Sequence, residues 1–424
     1  MSAAPRSAEP TSAPPLGRGL LKGTTSIATA LVVLGASGYA FLAVTARIVP
    51  AADYAALAAL YLLMAVFGGG LFSSVELETS RLVSGGAARG EPTGTAVRQM
   101  RLVSTGLLVL VSLAMLAAGR LLVDRVFNGD PWLLAGLLAA CAGFAVLSLP
   151  RGTFAGRGRL PAYAATIGGE GLARLLPCLI LAAAGVTAAA GFGVALGLGP
   201  LLAGLLCVPW LRLGAPGGHV PWRTLLPAVG WLAGSALLSL GLANLGPVVV
   251  KAILVEDPAR AGVFAFAFVL ARVPQFLFTS AQTALLPALT RAAATGDHAR
   301  LRQGVRQAVL VVAALGALGV LGTILVGGFV IRVLFDSTHG IGALDLGLLG
   351  LGAAFAMMMA VLQSALLALA KHRLVTLAYA LGFAGFVLCF LLPLDPVAAG
   401  LAAQLVSGVI TVAVMLHLFR RYAR

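Results

Sequence analysis

The chain has 424 residues, of which 60% are hydrophobic and only 10% charged, with a formal net charge of +15. A water-soluble domain carries about 25% charged side chains, so this composition excludes an ordinary soluble globule. The positive charge does not indicate nucleic acid as a partner. It sits in short connections between apolar runs, where the positive-inside rule accounts for it.

Residues 1–23 are rich in Ser, Ala and Pro, with Arg6, Arg18 and Lys22, and read as a disordered cytoplasmic tail. The apolar run that follows is longer than the core of a signal sequence and is taken as a first span. Twelve such runs follow one another, near 25–46, 54–80, 102–123, 131–150, 162–184, 188–211, 224–249, 261–289, 307–333, 345–369, 374–392 and 397–418. Many reach roughly 20 residues, the length that crosses a ~30 Å hydrocarbon core as a helix. They lack two-residue alternation, so they predict helices and not a barrel. Residues 24–212 form one lobe of six spans and 224–424 a second. Between them lies the Gly/Pro-rich cytoplasmic linker 213–223.

Of the 29 Lys and Arg residues, 21 fall on one side of this topology and 6 on the other, with Arg174 and Arg272 inside spans. The asymmetry places both termini in the cytoplasm. It describes an all-α integral membrane protein of about twelve transmembrane helices.

The halves carry matching marks. Val97-Arg98-Gln99 after the second span is echoed by Val305-Arg306-Gln307 after the eighth. Ser80-Arg81 is echoed by Thr290-Arg291, and Gly156-Arg157-Gly158-Arg159-Leu160 by Ala370-Lys371-His372-Arg373-Leu374. An even number of spans per half makes these parallel repeats about an axis along the membrane normal.

Ionisable residues at membrane depth are costly and default to functional candidates. Glu170 and Arg174 share a face of the fifth span, four positions apart. Two readings stand for them, a structural ion pair and a cavity group. Arg272 lies mid-span beside Pro274, which removes a backbone bond and can bend the helix. Its guanidinium suits phosphate oxygens, and the alternative is a pairing with Glu170 or Glu78. Gln275 is placed to bond sugar hydroxyls or a neighbouring helix. Glu76, Glu78 and Arg81 cluster at the cytoplasmic end of the second span, as a gate, a coupling site or a solvated helix end. Gly68-Gly69-Gly70 and Gly197-Leu198-Gly199 allow close helix approach. Cys141, Cys178, Cys207 and Cys389 lie in apolar runs without CxxC spacing, and the histidines form no metal motif. No catalytic residue, metal site or cofactor is expected, and no GxxxxGK[ST] segment is present.

Four segments carry a family resemblance: Ala46-Arg47-Ile48-Val49-Pro50-Ala51-Ala52-Asp53-Tyr54-Ala55; Arg151-Gly152-Thr153-Phe154-Ala155-Gly156-Arg157-Gly158-Arg159; the stretch from Ala271-Arg272-Val273-Pro274 to Leu286-Pro287-Ala288-Leu289-Thr290-Arg291; and the basic loop through Arg306. Across nearly its whole length the chain resembles polysaccharide and O-antigen flippases of the multidrug/oligosaccharidyl-lipid/polysaccharide exporter superfamily. The resemblance implies two six-helix lobes around a central cavity in a bacterial cytoplasmic membrane. It implies outward movement of an undecaprenyl-pyrophosphate-linked glycan, with Arg272 and Arg174 as the pyrophosphate ligands. Membrane lipids and a polysaccharide polymerase or glycosyltransferase machinery are the partners it suggests.

Three other functions were weighed. A cation-coupled drug exporter of the same superfamily wants an unpaired cavity acid. A membrane enzyme wants acidic groups in a sizeable outer loop, and the outer loops are short. The third is a non-transporting scaffold of a polysaccharide assembly complex.

Overall fold

The computed structural model describes residues 18–211, 214–275, 297–335, 341–369 and 371–423, with 278, 285, 289, 292 and 293. Residues 1–17 of the expected tail, Arg212, Ala370, Arg424 and the motif residues Leu286, Pro287, Ala288, Thr290 and Arg291 lie outside these. All regular structure among the described residues is helical.

The helices are α1 (Arg18–Ile48), α2 (Ala51–Arg89), α3 (Gly94–Ala117), α4 (Pro131–Gly156), α5 (Leu160–Ala183), α6 (Ala189–Cys207), α7 (Trp222–Ile253), α8 (Pro258–Leu270), α9 (His298–Gly322, continued through a wide π-helical turn to Phe335), α10 (Ala343–Ala368), α11 (His372–Phe390) and α12 (Pro396–Tyr422). Eleven are long and apolar enough to cross a membrane among the described residues. The span expected at 261–289 begins with α8, and much of its second half lies outside the described residues.

Hydropathy drew several helices too short. α1 starts at Arg18, inside the stretch read as a tail. The Pro-rich run stops at Pro15, and the Leu-Leu-Lys that follows favours helix. α2 continues to Arg89, and α3 and α9 begin ahead of their apolar cores at Gly94 and His298. Charged residues end a hydrophobic run without ending a helix, because a long Arg stem reaches water while its backbone stays helical.

Glycines set the tightest packing. α4 lies against α6 in the first lobe. A Cβ on Gly143 would stand 2.6 Å from the Pro200 carbonyl carbon, so only glycine admits that approach. α1 packs on α5, α11 on α12 and α9 on α10. The lobes meet where α2 packs on α7 and α8. There a Cβ on Gly262 of α8 would lie 2.5 Å from the Ala51 carbonyl oxygen, and Tyr54 meets Phe266 edge to face. Leu57 and Leu60 of α2 share one core with Val250 and Phe264. Large apolar side chains face outward instead of inward, as Leu110 and Leu113 of α3 and Leu318 and Leu325 of α9 do. Lipid is the solvent such a surface requires.

On the side away from the basic loops, Asp395 caps α12 by accepting from the Val397 and Ala398 amides, and Arg260 forks onto it at 2.8 and 2.9 Å. Partial burial pushes its carboxyl up, but the fork and the cap amides outweigh that and hold it below the ordinary carboxylate range. The group's contribution to stability is therefore complete at neutral pH, and is lost as pH falls through its lowered folded value. Solvent screens the ion pair, so most of the ~1 kcal/mol expected to be lost in Asp395→Ala is the cap. Thermal unfolding in detergent should show that loss at pH 7 and progressively less of it as the pH falls below the ordinary carboxylate range. Gly143→Leu should separate α4 from α6 and abolish monodisperse protein on size-exclusion chromatography.

Candidate functional site

Two polar clusters lie in the spanning region, one in each lobe. The first is built on α5, where Tyr163, Thr166, Glu170 and Arg174 fall at intervals of three and four residues and so share a face. Glu170 is 1% exposed. One of its oxygens pairs with Arg174, and the other accepts from Arg151 Nη2 at 2.6 Å. Arg151 comes from α4 and also donates to the Thr166 carbonyl at 3.0 Å and hydroxyl at 3.2 Å. Glu76 of α2 accepts from the Tyr163 hydroxyl at 2.8 Å and lies within electrostatic reach of Arg151. Three helices are thus tied through two acidic side chains and two guanidinia.

Arg174 faces away from saturation. Its guanidinium lies over the Phe144 ring, 5.6 Å from the centroid, and its buried Nε–H has no acceptor among the described residues. The ring packs on Gly68, in the π-helical turn Met64–Gly70 of α2, and the Arg174 stem runs against Gly199 of α6. These are the glycines singled out from the sequence for close approach.

The second cluster centres on Arg272. α8 ends at Leu270 and the chain turns at Ala271 and Arg272 before helix resumes at Val273. Pro274 is the cause, since it has no N–H for the Leu270 carbonyl. The break leaves Arg272 half-buried. Its Nε donates to Gln275 Oε1 at 2.9 Å, and Nη1 donates to the Ala243 carbonyl and to Asn244 Oδ1 at 2.9 and 3.0 Å. The Phe268 ring lies beneath it at 5.4 Å. Every one of these partners is neutral. Arg272 pairs with neither Glu170 nor Glu78.

Tyr61 of α2 lies within electrostatic reach of both Arg174 and Arg272, and Tyr39 within reach of Arg272. The Tyr39 hydroxyl donates to the Val269 carbonyl at 3.2 Å, so it joins α1 to the end of α8. The candidate residues therefore fall into three groups. Glu170, Arg174 and Glu76 belong to one cluster. Arg272 and Gln275 belong to the other. Glu78 and Arg81 stand apart as a closed pair along α2, bonded at 2.8 Å and 2.5 Å.

Sequence reasoning missed Arg151, Tyr163, Tyr61, Tyr39 and Asn244. Arg151 was counted among the loop charges because it follows Pro150 at the end of an apolar run. The signal against that was Thr153-Phe154-Ala155, which keeps the run alive for another turn. The tyrosines carry no spacing signature, and only the packed helices bring them to the arginines.

No protein-family model and no curated protein matches the sequence. Solved structures do match in fold. One is an inward-facing multidrug resistance MATE family transporter of the MOP superfamily, with TM-score 0.73 and 12% identity, covering 93% of this chain and 98% of that one. A mutant of the Vibrio cholerae MATE transporter VcmN matches with TM-score 0.65 and 15% identity over 95% and 97% of the two chains. The lipid II flippase MurJ, in an inward closed conformation, matches with TM-score 0.64 and 14% identity over 94% and 87%. The chain has the two-lobed, all-helical fold of these transporters.

Removing one partner from a buried ionic cluster leaves the others uncompensated, at a cost of about 3–5 kcal/mol. Glu170→Gln should therefore lower the unfolding midpoint more than Glu78→Gln, whose partner Arg81 is 63% exposed and regains water.

Proposed function

We propose that the chain is an alternating-access transporter that moves an anionic lipid-linked oligosaccharide, of the undecaprenyl-pyrophosphate type, from the cytoplasmic to the outer leaflet of a bacterial cytoplasmic membrane. The observation that carries this reading is Arg272. A guanidinium at membrane depth is held by neutral groups at a break in its helix, half open, while Arg174 of the other cluster keeps an unused Nε–H. Arg272, bonded to no carboxylate, brings a positive charge to the contact of α8 with α7. A glycan and its pyrophosphate do not cross ~30 Å of hydrocarbon unaided. A preformed cation lowers that barrier through charge-assisted hydrogen bonds. The lipid chain stays in the bilayer and the work is a change of lobe packing, with no bond broken. The fold shared with transporters, a lipid II flippase among them, supports this.

A second reading, a cation-coupled exporter of organic cations, draws on Glu76. Its hydrogen-bond partner is a neutral tyrosine and not a cation, so it is the acid of the first cluster freest to exchange a proton. Multidrug transporters share the fold.

The two separate in proteoliposomes loaded with a fluorescent polyprenyl-pyrophosphate oligosaccharide. Flipping by the wild type should fall about 10–100-fold in Arg272→Ala, the loss of one or two charge-assisted bonds, and less in Arg272→Lys. Export of organic cations without flipping would transfer the reading to Glu76.

A further inference from the structure

The segment that joins the lobes is strapped to α3. The Ala215 carbonyl accepts from Gly94 N–H at 3.1 Å, and the Gly217 carbonyl from Thr95 N–H at 3.0 Å. Gly217 N–H donates to Thr95 Oγ1 at 2.9 Å. Gln99 closes the strap with both ends of its amide. Its Nε2 donates to the Val220 carbonyl at 2.8 Å, and its Oε1 accepts from Val220 N–H at 3.0 Å. All five bonds read backbone, so the clamp recognises an extended chain and not particular side chains. Gly218, with φ of +71°, rides on Pro92, where a Cβ would stand 2.9 Å from the Pro92 carbonyl.

The second lobe has a contact at the corresponding positions, made by a side chain. Arg302 Nη1 donates to the Ala423 carbonyl at 2.6 Å. Arg302 follows Gly94, and Ala423 follows Ala215, by the same 208 residues. The counterparts of Thr95 and Gln99 at that offset are Gln303 and Gln307. Gln99 is buried under the strap, 5% exposed, whereas Gln303 and Gln307 are exposed. Both line a cavity of about 510 Å³ floored by Phe278, Leu285 and Leu289. Arg300, the counterpart of Pro92, stands on its wall.

We propose that this cavity docks an extended segment of a partner polypeptide that carries an acidic residue. Gln307 and Gln303 bond the segment's backbone as Gln99 and Thr95 bond the linker. The Arg302–Ala423 contact stands at the same sequence offset from Gln303 and Gln307 as the Gly94–Ala215 contact does from Thr95 and Gln99, with a side-chain donor in place of a backbone one. Where the linker lays a glycine on Pro92, an occupant here meets the Arg300 guanidinium, with Arg302 and Arg306 close by in sequence. That charge selects an acid at this position. The apolar floor takes the side chain that corresponds to Val220.

The test uses the full chain in phosphatidylcholine nanodiscs and a fluorescent peptide of the linker sequence 214–221, with aspartate in place of its second consecutive glycine. The peptide should bind saturably by anisotropy. Gln307→Ala should weaken it about tenfold, the worth of a doubly bonded amide. N-methylation of the peptide's valine amide should cost a similar factor on wild type and nothing further on Gln307→Ala. Arg300→Ala should erase the preference for the aspartate peptide over its glycine parent. No saturable binding, equal binding of the N-methylated peptide to wild type, or displacement of the peptide by anionic phospholipid would overturn the proposal, the last by making the cavity a lipid site.

Discussion

A charge inside a bilayer must be matched by its protein surroundings, and this molecule satisfies that constraint differently in its two halves. In the first lobe Glu170 lies between Arg151 and Arg174, with Glu76 beside them on Tyr163. These bonds make the cluster a bracket for α2, α4 and α5. In the second lobe Arg272 is satisfied by amide and carbonyl oxygens alone. These bonds orient the guanidinium without neutralising it. Neutral partners lower the cost of holding the cation at depth and leave its charge uncancelled, the property on which the proposed anion site relies.

Backbone chemistry places those groups. Pro274 breaks α8 next to Arg272 and turns the guanidinium toward α7 and α1. Gly68 and Gly199 let Phe144 and the Arg174 stem pack where larger residues would collide. The π-helical turn at Met64–Gly70 widens α2 beside Phe144. Tyr61, on the same helix, looks toward cations from both lobes. α2 is also the helix that packs on α7 and α8. α2 thus touches the surroundings of both arginines.

The fold was largely legible because membrane insertion writes itself into composition. Apolar runs of span length and a lopsided Arg distribution describe helices and their order. What hydropathy could not read was where helices end, since α2, α3 and α9 carry their charged residues on continuous turns. Arg272 and the Glu170–Arg174 pair were legible for the same reason that they are costly, as ionisable residues within apolar runs. Their partners were not. Arg151 looked like one more loop cation, and Asn244, Tyr39, Tyr61 and Tyr163 are ordinary residues until packing brings them near a guanidinium. The Glu78–Arg81 pair was legible as well, from a spacing of three residues along one helix, whereas Glu76 had no local partner in sequence and meets Tyr163 only through packing.

The claim beneath all of this is that the space between the lobes is an anion site centred on Arg272. The most direct measurement is isothermal titration calorimetry of the purified protein with a short-chain isoprenyl pyrophosphate, repeated with its uncharged alcohol. The account predicts saturable binding of the pyrophosphate, weakened by salt and lost in Arg272→Ala, with no binding of the alcohol. Equal binding of both compounds, or pyrophosphate binding indifferent to Arg272, would contradict it.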